Sequence, residues 1–168
     1  AVLAPELTTK LPAHLTAATG IDAFTHSLEA WLAPGFHPMA DNIALGGMRL
    51  CLEKLQTCID SPRDLEARGK MLMAATMGAT AFQKGLGMIH SLAHPLSARF
   101  NIHHGLANAL MLPYVIEFYE SINFTAEQRS RLSQVENLFE SNDSNQKLSV
   151  LCREWFKQVG IPFGLSHH

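Results

Sequence analysis

The stretch LEARGKMLMAATMGATAF, residues 65–82, is dominated by alanine, leucine and methionine, which are among the residues with the highest helix propensity. It contains no proline, and it is much longer than a usual β-strand. Pro62 and Asp64 stand just before it, and residues of these types are common where a helix begins. The stretch therefore predicts one long α-helix that starts near residue 65.

The segments on both sides of this helix follow the same pattern. Apolar residues recur at helical spacing over residues 22–31, 39–55, 125–140 and 147–159. No segment alternates polar and apolar residues as a half-buried strand does, and no internal repeat is present. A chain of 168 residues with 47% hydrophobic residues is long enough for one core. The sequence predicts an all-α helical bundle that forms one domain over residues 1–168.

The composition narrows the class of protein. A net charge of −2 leaves no basic field for nucleic acid, and no apolar run approaches the roughly 20 residues that span a bilayer. Cys51, Cys58 and Cys152 are odd in number, which favours buried thiols in a reducing compartment, the cytoplasm. Charged residues make up only 17% of the chain against about 25% in ordinary domains. We therefore expect part of the surface to face other protein, in a larger chain or a homo-oligomer.

A second stretch, GMIHSLAHPLSARFNIHHGLANALMLP at residues 87–113, places four histidines among apolar residues. His90 and His94 are four residues apart, so on one helix they share a face with Cβ atoms about 5–6 Å apart. That spacing is typical of metal ligands and proton relays. Pro95 weakens this geometry, because it removes a helical N–H and disfavours helical backbone at His94.

Asp22 and His26 repeat the four-residue offset in GIDAFTHSLEAW. His104, just before Gly105, can reach the same place from the next helix start, and its neighbour His103 is the alternative. Imidazole nitrogens with a carboxylate oxygen are a ligand set that iron and zinc accept. The residues predict a divalent metal site, and the alternative is that these histidines are ordinary core residues.

Several other residues are interpreted as structural. Glu29, three residues after His26, is interpreted as a solvated or helix-capping carboxylate with no role in the site. The glycines of residues 84–87 follow a helix rather than a strand, so they do not form a dinucleotide-binding fingerprint. Gly105 and Gly160 are interpreted as breaks between helices.

Two longer segments carry a resemblance to a known family. TAATGIDAFTHSLEAWLAP, residues 16–34, and GLGMIHSLAHPLSARFNIHHGLANALMLP, residues 85–113, resemble the two signature regions of iron-containing alcohol dehydrogenases, in order and at a suitable separation. The flanks LTTKLPAHLTAATG and YVIEFY agree as well, so the resemblance covers nearly the whole chain. It implies the helical C-terminal domain of a dehydroquinate synthase-like fold.

The resemblance also implies roles for individual residues. The positions that match the family's metal ligands are Asp22, His26, His90 and His104. It implies Fe2+ as the metal, and the same ligands would accept Zn2+. His94 matches the histidine implicated near the nicotinamide and in proton transfer, so it is the expected catalytic residue, with His103 a bystander. Ser97 stands where the family often has glycine.

The implied function is an NAD- or NADP-dependent alcohol dehydrogenase that oxidises an alcohol or reduces an aldehyde or ketone. The N-terminal nucleotide-binding domain of that family has no counterpart in this sequence, which contains no βαβ pattern. We therefore expect a fragment that lacks this domain and is inactive alone. Two alternatives stay open: a metal-dependent hydrolase, although no His-Asp dipeptide is present, and a non-catalytic metal-stabilised helical module.

Overall fold

The computed structural model describes residues 2–139 and 146–162, and this part of the chain forms helices and no strand. Its α-helices are α1 (Ala13–Leu32), α2 (Pro38–Asp60), α3 (Leu65–Ala81), α4 (Met88–Phe100), α5 (His104–Ser121), α6 (Ala126–Glu136) and α7 (Leu148–Gln158). Short 3₁₀ helices at Pro5–Thr8 and Phe82–Lys84 precede α1 and follow α3. The predicted all-α bundle is confirmed.

Two helices begin where the sequence predicts them, for local reasons. The carboxylate of Asp64 accepts a hydrogen bond of 2.9 Å from the backbone N–H of Ala67 and so caps α3. Thr125 and Gln128 form a reciprocal capping box at the start of α6. Each cap satisfies a backbone donor that has no partner inside the helix, and loss of such a cap costs about 1 kcal/mol.

Helix α1 is the centre of the bundle, and it packs against α2, α3 and α5. It begins at Ala13, well before the predicted start at residue 22. Its early turns bury Ala17, Ala18 and Ile21, which point to more than one side of the helix. These turns therefore lack the one-sided apolar pattern from which a helix is predicted. Exposed residues at Ala13, His14 and Thr19 are thus interspersed with small buried ones, and the first half of α1 shows no clear apolar stripe in the sequence.

Aromatic contacts dock α7 onto the centre of α1. The ring of Phe24 lies 5.0 Å from that of Trp155 and 6.2 Å from that of Phe139, centroid to centroid. Phe24 and Phe156 are fully buried. Full burial of such a side chain contributes about 1.5–3 kcal/mol, so this cluster holds the C-terminal helix against the core.

The interpretation of Gly105 as a break between helices is wrong, because Gly105 is the second residue of α5. A Cβ at this position would lie 2.3 Å from the carbonyl oxygen of Ala18 and 3.3 Å from the Cβ of Asp22, both on α1. Glycine thus lets the two helices approach to backbone contact. Gly160 does follow the end of α7, with φ of +80°, as expected for a helix-terminating glycine.

Two predictions from composition can be compared with the structure. Cys51, Cys58 and Cys152 are free and buried, as expected for structural thiols. Burial raises the pKa of each thiol, which keeps it in the unreactive neutral form. Among the described helices, none has both the length and the apolar character that crossing a membrane requires.

Candidate metal centre

Three helices bring the four predicted ligands together. Asp22 and His26 lie one turn apart on α1, His90 lies in the first turn of α4, and His104 begins α5. One ligand atom from each of these residues lies within 4.8 Å of the others. The close approach at Gly105 is what places the start of α5 beside Asp22.

The donor atoms of this cluster face one another. Oδ1 of Asp22 lies 3.6 Å from Nε2 of His90 and 3.5 Å from Nε2 of His104. The ring of His26 stacks on that of His90 with 4.6 Å between centroids. One carboxylate oxygen and three imidazoles therefore surround a common point, and their role as metal ligands stays a prediction.

The interpretation of Glu29 as a solvated carboxylate is wrong, whereas its interpretation as a helix-capping carboxylate is confirmed. Its carboxylate is 97% buried, and Oε2 lies 2.6 Å from Nδ1 of His90. Oε1 accepts a hydrogen bond of 2.6 Å from the backbone N–H of Ile89. Glu29 does cap a helix, but it caps α4 from its position on α1. The cause is tertiary: the first turn of α4 meets the face of α1 that carries Glu29.

Asn108 is a site residue that the sequence reasoning missed. It is fully buried on α5, and its Nδ2 donates to Oδ1 of Asp22 at 2.6 Å. The same nitrogen lies 3.1 Å from Nε2 of His90 and 3.2 Å from Nε2 of His104. Asn108 follows His104 by four residues, the offset that singled out the other pairs, so this signal was present in the sequence.

The chemistry of this donor set fits a divalent cation. A carboxylate only accepts hydrogen bonds, so in the neutral ring Glu29 holds the proton on Nδ1 of His90 and leaves the Nε2 lone pair facing Asp22. Nδ2 of Asn108 has two hydrogens but lies within 3.2 Å of three candidate ligand atoms, Oδ1 of Asp22 and Nε2 of both His90 and His104. The buried Oδ1 of Asn108 has no hydrogen-bond partner among the described residues. Nitrogen and oxygen ligands in this ratio suit Fe2+ or Zn2+.

The electrostatics of the cluster favour neutral rings at two positions. Burial lowers the pKa of His26 and of His104, although the charge of Asp22 opposes it. Burial would also lower the pKa of His90, but hydrogen bonds with Asp22 and Glu29 outweigh it and raise this pKa to about 9. Burial works against ionisation of Asp22, yet the hydrogen bond with His90 and the nearby rings lower its pKa. A cation must therefore compete with a proton for Nε2 of His90.

The other two histidines of the second stretch lie outside this set of four. His94 is exposed beside it, with its ring centroid 5.4 Å from that of His104 and 5.9 Å from that of His90. His103 is exposed at the N-cap of α5, so the structure brings His104 rather than His103 to Asp22. Pro95 does not end α4, which continues to Phe100.

Comparisons with known proteins agree with one another. Residues 16–167 match the model of the Fe-containing alcohol dehydrogenase family, C-terminal. The 4-hydroxybutyrate dehydrogenase of Cupriavidus necator is 40% identical over 98% of this chain and 44% of its own length. The NAD-dependent methanol dehydrogenase of Bacillus methanolicus is 34% identical over 98% of this chain and 44% of its own length.

Solved structures give the same result. A 1,3-propanediol oxidoreductase superposes with a TM-score of 0.85 at 31% identity, over 94% of this chain and 42% of its own. A sulfoacetaldehyde reductase from Bifidobacterium kashiwanohense, in complex with NAD+, superposes with a TM-score of 0.83 at 26% identity. The superposition covers 97% of this chain and 42% of the reductase chain. The chain spans less than half the length of these relatives.

Proposed function

Because the chain belongs to the Fe-containing alcohol dehydrogenase family, we propose that it is the metal-binding helical part of an oxidoreductase. That enzyme interconverts an alcohol with an aldehyde or ketone. The observation that carries the proposal is the cluster of one carboxylate and three imidazoles within 4.8 Å on three helices. The relatives compared above are two dehydrogenases, an oxidoreductase and a reductase, so neither the hydrolase nor the non-catalytic module gains support.

The residues that would hold the cation are Asp22, His26, His90 and His104. When bound, Fe2+ or Zn2+ supplies a Lewis acid that polarises the oxygen of the substrate. Asp22 brings the negative charge of the set, and its hydrogen bond from Asn108 fixes the direction of the carboxylate. His90 itself is buried, with only 2% of its surface exposed, and burial strengthens charge interactions at this point.

We assign the proton-transfer step to His94. It is exposed, while its ring lies next to those of His90 and His104, so it can exchange protons with solvent and reach a substrate at the cluster. In alcohol oxidation it accepts the hydroxyl proton, and in carbonyl reduction it returns that proton to the substrate oxygen.

We propose that NAD or NADP is held mainly by a separate nucleotide-binding domain. Residues 2–139 and 146–162 contain no strand, and therefore no strand-to-helix turn of the kind that cradles a pyrophosphate. Helix α4, which carries His90, exposes Met88, Leu92 and Phe100 at 37%, 45% and 69% of their surfaces. Exposed apolar side chains on the helix that carries a candidate ligand support coverage by that domain.

Zinc titration of the 168-residue chain tests the ligand assignment. We expect one Zn2+ per chain by calorimetry, and we expect His104→Ala to weaken binding by more than about 100-fold, beyond the range seen for outer-shell changes. The matched control is His103→Ala, which alters the neighbouring exposed ring and should bind Zn2+ as wild type does. Failure of wild type to bind, or equal losses in the two variants, would contradict the assignment.

The catalytic role is tested on the protein that carries this chain. Reduction of NAD or NADP should depend on an added alcohol. His94→Gln should lower kcat and change its pH profile while zinc affinity stays at the wild-type value, because His94 lies outside the set of four. An unchanged pH profile would remove His94 from the proton-transfer step.

A further inference from the structure

Glu29 occupies an unusual position for a carboxylate. It lies on the α1 face that also carries Asp22 and His26, and only 3% of its surface is exposed. Desolvation of a carboxylate costs several kcal/mol unless hydrogen bonds replace the lost water. Both oxygens have such partners on α4, Nδ1 of His90 and the backbone N–H of Ile89, each at 2.6 Å.

We propose that Glu29 is a positioning residue that sets both the tautomer and the direction of His90; this inference rests on the metal-binding function proposed above. A carboxylate accepts and does not donate, so it selects the ring with its proton on Nδ1. The lone pair of Nε2 then faces Asp22 and His104. An imidazole with the opposite tautomer would present a hydrogen to the cation instead of a lone pair.

The second oxygen fixes the helix that carries His90. Helix α4 starts after Gly87 with no capping side chain of its own, and Ile89 is one of its first backbone donors. Glu29 supplies the missing acceptor, and its negative charge suits the positive end of the helix dipole. The helix start and the ring therefore share one anchor on α1.

Gly87 makes this approach sterically feasible. A Cβ at Gly87 would lie 2.9 Å from Oε1 of Glu29 and 3.3 Å from its Cδ. Any larger residue would push the carboxylate away from Ile89 and His90. Gly87 thus leaves room for the carboxylate of Glu29. That carboxylate takes the place of a capping side chain at the start of α4.

Glu29→Gln tests the tautomer argument with almost no change in shape. Glutamine offers one acceptor oxygen and one NH2 group, so it cannot accept from both Ile89 and His90. If the NH2 group faces Nδ1, the ring must carry its proton on Nε2. We expect zinc affinity of the 168-residue chain to fall about 10- to 100-fold, the usual effect of outer-shell changes.

Glu120→Gln is the matched control for loss of helix anchoring. Glu120 lies on α5 and anchors the start of α7 in the same way, accepting from the backbone N–H of Ser149 at 2.9 Å and from its hydroxyl at 2.7 Å. The Glu120→Gln substitution should lower the melting temperature of the chain and leave its zinc affinity unchanged. If Glu29→Gln binds Zn2+ as tightly as wild type, or loses no more affinity than Glu120→Gln, the positioning role is overturned.

A nuclear magnetic resonance measurement needs no variant and so remains decisive if Glu29→Gln fails to fold. Long-range proton–nitrogen spectra of the wild-type chain with Zn2+ should show His90 protonated at Nδ1 and metallated at Nε2. Metallation at Nδ1 would overturn the proposal. If wild type binds no Zn2+, the proposed metal function fails, and metal-free spectra recorded above pH 9, where the His90 ring is neutral, still test the tautomer: a proton on Nε2 rather than Nδ1 would overturn the selection by Glu29.

Discussion

Replacement of Gly105 by alanine tests the contact that positions the candidate metal centre. The new Cβ would lie 2.3 Å from the carbonyl oxygen of Ala18 and 2.7 Å from its carbonyl carbon. Both are backbone atoms of α1, so no side-chain rotation can relieve the contact. Helices α1 and α5 must separate by about 1 Å to restore an ordinary van der Waals distance, a backbone shift typical of overpacked interiors.

Two opposing terms set the size of the effect. Alanine in place of glycine inside a helix is favourable by about 1 kcal/mol. Overpacking costs about 1–3 kcal/mol and occasionally more, and a rigid backbone neighbour places Gly105 at the upper end. We expect Gly105→Ala to lower the free energy of unfolding by about 2 kcal/mol, which corresponds to a fall in Tm of about 4–8 °C in a chain of this length.

Thermal unfolding followed by circular dichroism, with a chelator present, measures this change. Gly69→Ala is the matched control, because Gly69 also lies inside a helix but its nearest neighbour would be Cγ of Pro5 at 4.0 Å. It should be neutral or more stable by up to about 1 kcal/mol. If Gly105→Ala melts at or above the wild-type temperature, the close approach of α1 and α5 is not as described.

Three further predictions concern other parts of the molecule. Burial opposes ionisation of Asp41, but hydrogen bonds from Arg131 and Lys84 outweigh it and lower its pKa, so its stabilisation is present above the unfolded value of 3.8 and is lost at lower pH. Urea unfolding should show Asp41→Asn less stable by about 1–3 kcal/mol at pH 7, with a smaller difference at pH 3. Asn108→Ala removes the donor to Asp22 and should cost about 1–3 kcal/mol in a chelator, measured by urea unfolding, with a smaller loss in saturating Zn2+. Calorimetry should detect no micromolar binding of NAD or NADP to the 168-residue chain, and a tight complex would contradict the proposed separate nucleotide-binding domain.

The features that the sequence predicts correctly depend on neighbours within a few residues. Capping by Asp64 and Thr125 involves residues three positions away, so the starts of α3 and α6 could be read from local chemistry. The pairing of Asp22 with His26 depends only on the helical repeat. The resemblance to known signature regions was needed to choose His104 over His103.

The features that the sequence misses depend on packing between distant segments. Glu29 meets Ile89 across 60 positions, and whether a carboxylate is solvated or buried is decided by the helix that packs over it. Gly105 reads as a helix break unless its contact with Ala18 is known. Asn108 carried a usable signal in its offset from His104, but an amide is a common core residue and does not by itself indicate a metal.

The distribution of the candidate ligands over α1, α4 and α5 affects the kinetics of folding. Asp22 and His104 are far apart in the chain, and the entropy of closing such a loop is lost before any cation can bind both. No single helix carries more than two of the four. We therefore expect the site to form late in folding, when the helices have already docked. A cation at a hundred times its Kd would add about 2.7 kcal/mol to stability, and we expect that gain to appear as slower unfolding rather than faster folding.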